Sequence, residues 1–245
     1  MNFLSKYTEF LSKNNLKNYR MKLRKIIKKV FRRLTNKRRY ALNHLDVMIE
    51  PLINYRNGFF IEVGANNGLS QSNTRYFEQY KGWRGLLIEA IPDLAEKCKK
   101  NRPKSIVENY ALVSDQYPYD TIEIHYNNLM SVIDNEVLNI EEHLKRGKTY
   151  FPNEEFYTLH VPTITLNSLL EKHSIKKIDL FSLDVEGYEI EVLKGFDLEK
   201  YRPKFLLIEV RDIKAIEAII GKLYKKIAIL HIGDAYSDIL YRSIK

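Results

Sequence analysis

The chain has 245 residues and a formal net charge of +9, with 44% hydrophobic residues, enough for one sizeable globular core. A single cysteine, Cys98, excludes an intramolecular disulfide and a cysteine-rich zinc site. Residues 1–40 carry 14 Lys and Arg against one acid, Glu9; the remaining residues hold 26 basic and 30 acidic side chains. The whole positive excess therefore belongs to the first 40 residues, and a nucleic-acid-binding body is disfavoured.

The first segment, 1–40, reads as a basic amphipathic helical extension. From Met21 to Leu34 the apolar positions Met21, Leu23, Ile26, Ile27, Val30, Phe31 and Leu34 approach an i, i+3, i+4, i+7 stripe. Such an arm can lie on an anionic membrane surface, meet a partner, or stay a solvated extension packed on the body. It lacks the unbroken apolar core of a secretory signal, and no apolar run approaches the ~20 residues that span a bilayer. A cytoplasmic protein, peripheral to a membrane at most, is the expectation.

Residues 41–245 alternate strand and helix signals, which predicts an α/β domain with a mostly parallel sheet. Phe59–Val63 is a first strand ending in a glycine turn, Ser70–Tyr80 a helix, and Gly85–Glu89 a second strand followed by a helix opened by Pro92. Ser105–Val113 reads as a third strand and Ile178–Leu183 as a fourth, with a helix near Tyr188–Leu193. Lys204–Val210 is a fifth, Asp212–Leu223 a helix, and Lys226–Ile232 with Asp238–Ile244 a closing hairpin. Between them, 115–162 breaks the alternation. Its aromatics Tyr117, Tyr119, Tyr126, Tyr150, Phe151, Phe156 and Tyr157 suit an insertion that covers a ligand or packs on a sheet edge. His125 and the Asn127–Asn128 pair are its candidate functional polar residues.

The chemistry is carried by two clusters. The first strand runs into Glu62-Val63-Gly64-Ala65-Asn66-Asn67-Gly68, and the second strand ends in Glu89. Open α/β sheets bind ligands beyond the carboxyl ends of their strands, and a carboxylate at the second end suits the hydroxyls of a ribose. The spacing is not the G-x-G-x-x-G of a dinucleotide site. Glu62 beside the turn would repel a pyrophosphate, whereas S-adenosylmethionine brings an ammonium and a sulfonium. The acids therefore favour that methyl donor over NAD. The second cluster, Asp179 to Glu189, sets Asp184 and Glu186 at the same rim, where acids orient a substrate, take a proton or hold a divalent metal. Glu189 is either a third site acid or a helix-start acid favoured by the macrodipole.

These residues resemble the FkbM-type methyltransferases. Phe60-Ile61-Glu62-Val63-Gly64-Ala65-Asn66-Asn67-Gly68 and Gly82-Trp83-Arg84-Gly85-Leu86-Leu87-Ile88-Glu89 are similar to the first motifs of that family. Thr165-Leu166-Asn167-Ser168-Leu169-Leu170 and Ile178 to Gly187 are similar to its later ones, as are Val192 to Phe196 and Tyr201 to Lys204. The resemblance covers residues 58–113 and 163–210. It departs at Asn67, where an Asp is frequent, and at Ala90-Ile91-Pro92, where a Pro-Asn-Pro type turn is usual.

The resemblance implies an S-adenosylmethionine-dependent methyltransferase with a Rossmann-like, mostly parallel seven-stranded sheet and a C-terminal antiparallel hairpin. The implied acceptor is a hydroxyl on a sugar, glycan or small molecule. Glu62, Gly64, Asn66 and Gly68 would line the methionine end of the cofactor, Glu89 the ribose, and Asp115 the adenine side. Asp184 and Glu186 would flank the transferred methyl. Asp184 is the first candidate base and His125 the second, with a magnesium ion on Asp184 and a neighbouring acid as the alternative route. The rival classes are a NAD-dependent oxidoreductase, a non-catalytic module on the same fold, and a membrane- or nucleic-acid-binding adaptor built on the arm.

Overall fold

The computed structural model describes residues 39–126, 131–133, 149 and 156–244. The arm up to residue 38, the Asn127–Asn128 pair, Tyr150 and Phe151 lie outside the described residues. Seven strands form the main sheet: β1 (Phe59–Val63), β2 (Arg84–Ile88), β3 (Ile106–Glu108), β8 (Leu180–Leu183), β9 (Phe205–Val210), β10 (Tyr224–Ile232) and β11 (Ser237–Ser243). Their spatial order is β10-β11-β9-β8-β1-β2-β3. Pairs β1–β2, β2–β3, β1–β8 and β8–β9 are parallel, and β11 runs antiparallel to both β9 and β10. This is the mostly parallel sheet with a terminal hairpin that the sequence leads one to expect.

The strands read as apolar runs because both faces of a parallel sheet are covered. Successive residues feed two cores. Ile61, Leu86, Phe181 and Ile208 enter one, with α4 (Leu166–Lys172), α5 (Glu189–Lys194), α6 (Leu198–Tyr201) and α7 (Ile213–Ile220). Phe60, Leu87, Leu180 and Leu207 enter the other, with residues of α1 (Leu45–Ile49), α2 (Arg75–Lys81) and α3 (Pro92–Asn101). Asp212 caps α7 by accepting from the Lys214 and Ala215 amides, and Pro92 opens α3. Asp179, at the opposite end of β8 from the glycine turn, takes hydrogen bonds from Tyr55 Oη and the Phe59 amide and an ion pair from Lys204. It fastens the sheet and stands apart from the rim. Among the described residues no helix is long and apolar enough to cross a membrane.

Two expectations change. The third strand is two strands: β3 pairs with β2, whereas β4 (Ala111–Leu112) joins a second sheet ordered β4-β7-β5-β6. Between them the Asn109 side chain donates to the Glu89 and Ala90 carbonyls, which turns the chain off the main sheet. The second sheet is built from the 115–162 insertion: β5 (Thr121–Tyr126), β6 (Val132–Ile133) and β7 (Tyr157–Ile164). Within it Tyr126 and Tyr157 stack at 4.7 Å. The helix expected from Ser70, α2, also starts late, at Arg75, because the donors of Ser72, Asn73 and Thr74 are spent on Glu62.

Gly85 faces Phe60 across the β1–β2 pair, and an added Cβ would lie 2.3 Å from the Phe60 ring and carbonyl. Gly85→Ala should therefore cost about 1–3 kcal/mol by overpacking, read from the midpoint of urea unfolding.

Candidate active site

The register of the main sheet lines up one row of residues at the carboxyl rim. Val63 pairs with Ile88 and with Leu183, and Leu183 pairs with Ile208. One residue further on, the neighbours are Glu89, Gly64, Asp184 and Glu209, and Glu209 pairs with Asp238 of β11. All five positions share one parity, because neighbouring residues in register point to the same face. A cleft of about 650 Å³ lies along this row, lined in part by Gly64, Asn66, Glu89, Asp184, Glu186 and Glu209.

The glycine turn is set by contacts a side chain would destroy. Gly64 has φ +79°, and a Cβ there would fall 1.9 Å from the Asp184 carbonyl oxygen. The amides of Gly64 and Ala65 both donate to the Ile88 carbonyl. Asn66 also takes a left-handed conformation, and its Oδ1 accepts from the Asn67 amide at 2.6 Å. Glu89 receives the Asn66 and Ile91 amides at 2.7 and 2.9 Å, and burial pushes its pKa up despite those bonds.

Glu62 lines the cleft but has its carboxylate committed elsewhere. It accepts from Ser72 Oγ, Thr74 Oγ1 and the amides of Asn73 and Thr74, with Arg102 3.6 Å away. Arg102 is wholly buried. It donates to Glu78, the Gly68 carbonyl, Ser72 and Thr74, so one guanidinium holds the second glycine, the turn before α2 and Glu78 together. A Cβ on Gly68 would meet Arg102 and Cys98 at 2.7 and 2.8 Å.

The acids at the end of β8 form one cluster with a partner the sequence reading missed. Asp184, Glu189 and Glu209 each offer a carboxylate oxygen within 4.8 Å of the others, a spacing a hard divalent cation could use. Arg211 Nη2 bridges Glu186 at 2.7 Å and Glu209 at 2.8 Å. Asp184 is pushed well up by burial, then by the charges of Glu186, Asp238 and Glu189. Glu186 is pushed up to about 7, chiefly by burial, and Glu209 is raised by burial and by Asp184 and Glu186. Glu189, also raised by burial, turns back to accept from the Val185 and Gly187 amides, so it clamps the loop that presents Asp184 and Glu186. Glu209 was legible in principle. It interrupts the fully buried run of β9 one residue before its end, the same signal that singled out Asp184.

Four sequence candidates do not line the cleft: Gly68, packed against Arg102 and Cys98, Glu189, turned back onto its own loop, and His125 and Asp115. His125 contacts Thr158 Oγ1 at 3.2 Å, with Glu123 3.8 Å away. Its neighbour Ile124 lines the cleft, and alternation along β5 turns His125 to the other face. Asp115 is exposed in the turn after β4. Ala111 and Leu112 line the cleft, but Val113 is held along the second sheet by Ile164, which carries Asp115 outward.

The family model described as the methyltransferase FkbM domain matches residues 62–228. Among solved structures the chain is similar to the methyltransferase FkbM from Methylobacillus flagellatus KT, at 14% identity and a TM-score of 0.48, over 76% of this chain and 43% of that one. The chain thus spans less than half the length of that protein. It is similar to a TehB-like SAM-dependent methyltransferase from Corynebacterium glutamicum, at 9% identity and a TM-score of 0.42, over 93% and 97% of the two chains. It is also similar to an O-methyltransferase from Bacillus cereus in complex with SAH, at 11% identity and 0.40, over 89% and 90%. No curated protein sequence matches the chain.

Two outcomes test the site. Arg102→Met should lose about 3–5 kcal/mol of stability in chemical unfolding, because buried Glu78 loses its ion pair with Arg102 and the Gly68 carbonyl, Ser72 and Thr74 lose their donor. Below pH 4.5 Glu186 is protonated in both the folded and unfolded chain, and above about 7 it is charged in both. The raised folded value therefore favours the fold at low pH, and this contribution is lost as pH rises through about 7. Across that window the fall in melting temperature should be shallower in Glu186→Gln than in the natural chain.

Proposed function

The chain belongs to the FkbM methyltransferase family, and we propose that it transfers the methyl group of S-adenosylmethionine to a hydroxyl oxygen of a sugar or glycan. The observation that carries this reading is the acid row at the rim of the sheet. Among the described residues lining the cleft, the carboxylates are Glu62, Glu89, Asp184, Glu186, Glu209 and Asp234, against the single cation Arg211. That balance fits a ligand with an ammonium and a sulfonium and opposes the pyrophosphate of a dinucleotide. When bound, S-adenosylmethionine supplies an electrophilic methyl group.

The residues then divide the work. Gly64 and Asn66 give the backbone room to approach the methionine end, and Gly68 keeps that turn closed over Arg102. Glu62 acts through the turn it holds, not through direct contact. Glu89 accepts from the ribose hydroxyls while its two amide bonds fix its direction. Asp184, beside Gly64, takes the acceptor proton as the oxygen attacks, and alignment of the reactants supplies the larger share of the rate, up to ~7–11 kcal/mol. Its raised pKa brings a carboxylate towards the range useful for a base. A divalent cation on Asp184, Glu189 and Glu209 is the second reading, carried by the 4.8 Å spacing. The basic arm would keep the enzyme at an anionic membrane surface without taking part in the chemistry.

Asp184→Asn should bind S-adenosylhomocysteine as the natural chain does and lose methyl transfer by about 10²–10⁴-fold. Labelled-methyl transfer over glycan, lipid and small-molecule pools measures it, and natural activity in that variant removes Asp184 from the mechanism. Addition of EDTA in the same assay separates the two readings, since a base needs no cation.

A further inference from the structure

The family match spans residues 62–228, yet two segments outside it line the cleft: Leu42, and Asp234 to Tyr236 at the tip of the β10–β11 hairpin. They are neighbours, since the Asn43 side chain acts on the Tyr236 hydroxyl. The strand of chain that carries Leu42 is tied down along its length. Arg39 pairs with Glu50 at 2.8 Å, the Tyr40 amide donates to Asp46 at 3.0 Å, and Ala41 bridges Gln71. Asn43 and His44 both hold left-handed backbones, at φ 51° and 61°. Side chains with a Cβ keep that conformation only where surrounding contacts impose it, and such positions gather at ligand clamps. Leu42 is left 45% exposed by this arrangement, an apolar side chain presented to the cleft and not to a core.

The row of rim residues has two ends. With the ribose on Glu89, the acceptor half lies beyond Asp184, towards Glu209 and Asp238. Tyr236 stands near Glu209 and Asp238 at that half, and Leu42 and Asp234 line the same cleft. Its chemistry is restrictive. Arg211 is the only cation among the described lining residues, and its Nη2 already serves Glu186 and Glu209. Its guanidinium carbon lies 5.7 Å from the centre of the Tyr236 ring. A phosphate or carboxylate on the acceptor would meet six lining carboxylates against one guanidinium that is already paired with two of them. A hydroxyl finds acceptors on every side, and a sugar ring finds the aromatic face of Tyr236 and the methyls of Leu42.

We propose that the wall formed by Leu42 and Tyr236 positions the methyl acceptor, and that it selects an uncharged, hydroxyl-bearing molecule against its phosphorylated counterpart. This rests on the methyltransferase reading above. Leu42 and Tyr236 act on the acceptor and leave the cofactor half untouched.

The test uses the full chain with Leu42→Ala and Tyr236→Ala. Titration with S-adenosylhomocysteine comes first, and both variants should bind it as the natural chain does. Labelled-methyl transfer is then followed to p-nitrophenyl glycosides of neutral hexoses and to the same glycosides bearing a phosphate. Transfer should occur to neutral members only. Each variant should lose about tenfold in kcat/KM for the acceptor with KM for S-adenosylmethionine unchanged. Transfer to the phosphorylated members at equal or greater rate overturns the proposal. So does the absence of transfer to every neutral member, or natural acceptor kinetics in Tyr236→Ala. A natural chain that binds no S-adenosylhomocysteine is a different failure, that of the methyltransferase reading itself.

Discussion

The structure of the site hangs on a buried carboxylate and guanidinium. Glu62 and Arg102 are withdrawn from water, at 3% and 0% exposure, and neither could stay there alone. Each is compensated by many hydrogen bonds and not by the 3.6 Å ion pair itself. Glu62 collects the donors of residues 72–74, and Arg102 collects Glu78 and the Gly68 carbonyl. The result is a tie between the end of β1, the start of α2 and the end of α3. The segment from Gly64 to Gly68 is the short bridge strung between these fixed points. A ligand meeting that segment meets backbone that is already ordered, so little conformational entropy is left to lose on binding.

The second constraint follows from register. A parallel sheet with matched strand ends brings Glu89, Asp184 and Glu209 into one line on one face, and β11 adds Asp238. Burial, with the repulsion of neighbouring carboxylates added to it, pushes the pKa values of Asp184, Glu186 and Glu209 up. Among the described residues lining the cleft, one guanidinium, on Arg211, answers them. Full neutralisation by lysines and arginines would have been easy in a chain with 40 of them. The deficit left at the rim is a standing preference for positive charge or hydrogen-bond donors in the ligand. It disfavours the ligand-free protein at higher pH, where the row is most fully ionised.

Much of this was legible in the sequence because it is local. The glycine turn, the acid after each strand and the closing hairpin follow from short-range pattern, and all appear within a few residues of their expected bounds. What was not legible depends on distant contacts. Arg102 ends α3 and gives no local sign that it reaches back to Gly68 and Glu62. The break between β3 and β4 is decided by Asn109 reaching the Glu89 and Ala90 carbonyls, although the local pattern from Ser105 to Val113 is continuously strand-like. His125 failed on parity alone: the choice between it and Ile124 for the cleft rests on one residue of register in the second sheet. Tyr236 sits in what the sequence marks only as a turn.

The charge of the chain can be followed into the structure at one point. Arg39 and Tyr40 end the basic segment, and both are anchored to the body, Arg39 to Glu50 and over the Tyr76 ring at 3.8 Å. Two residues later Leu42 lines the cleft. Arg39 and Tyr40, the described end of the segment with 14 basic residues in 40, therefore lie within two residues of the cleft wall. On the proposed reading this gives the positive charge a geometric role: a short tether raises the effective concentration of a surface-bound acceptor at the cleft, while the acids inside select on the bound molecule itself. Location and selectivity are then set by opposite charges on neighbouring parts of the chain, and neither requires the other to change.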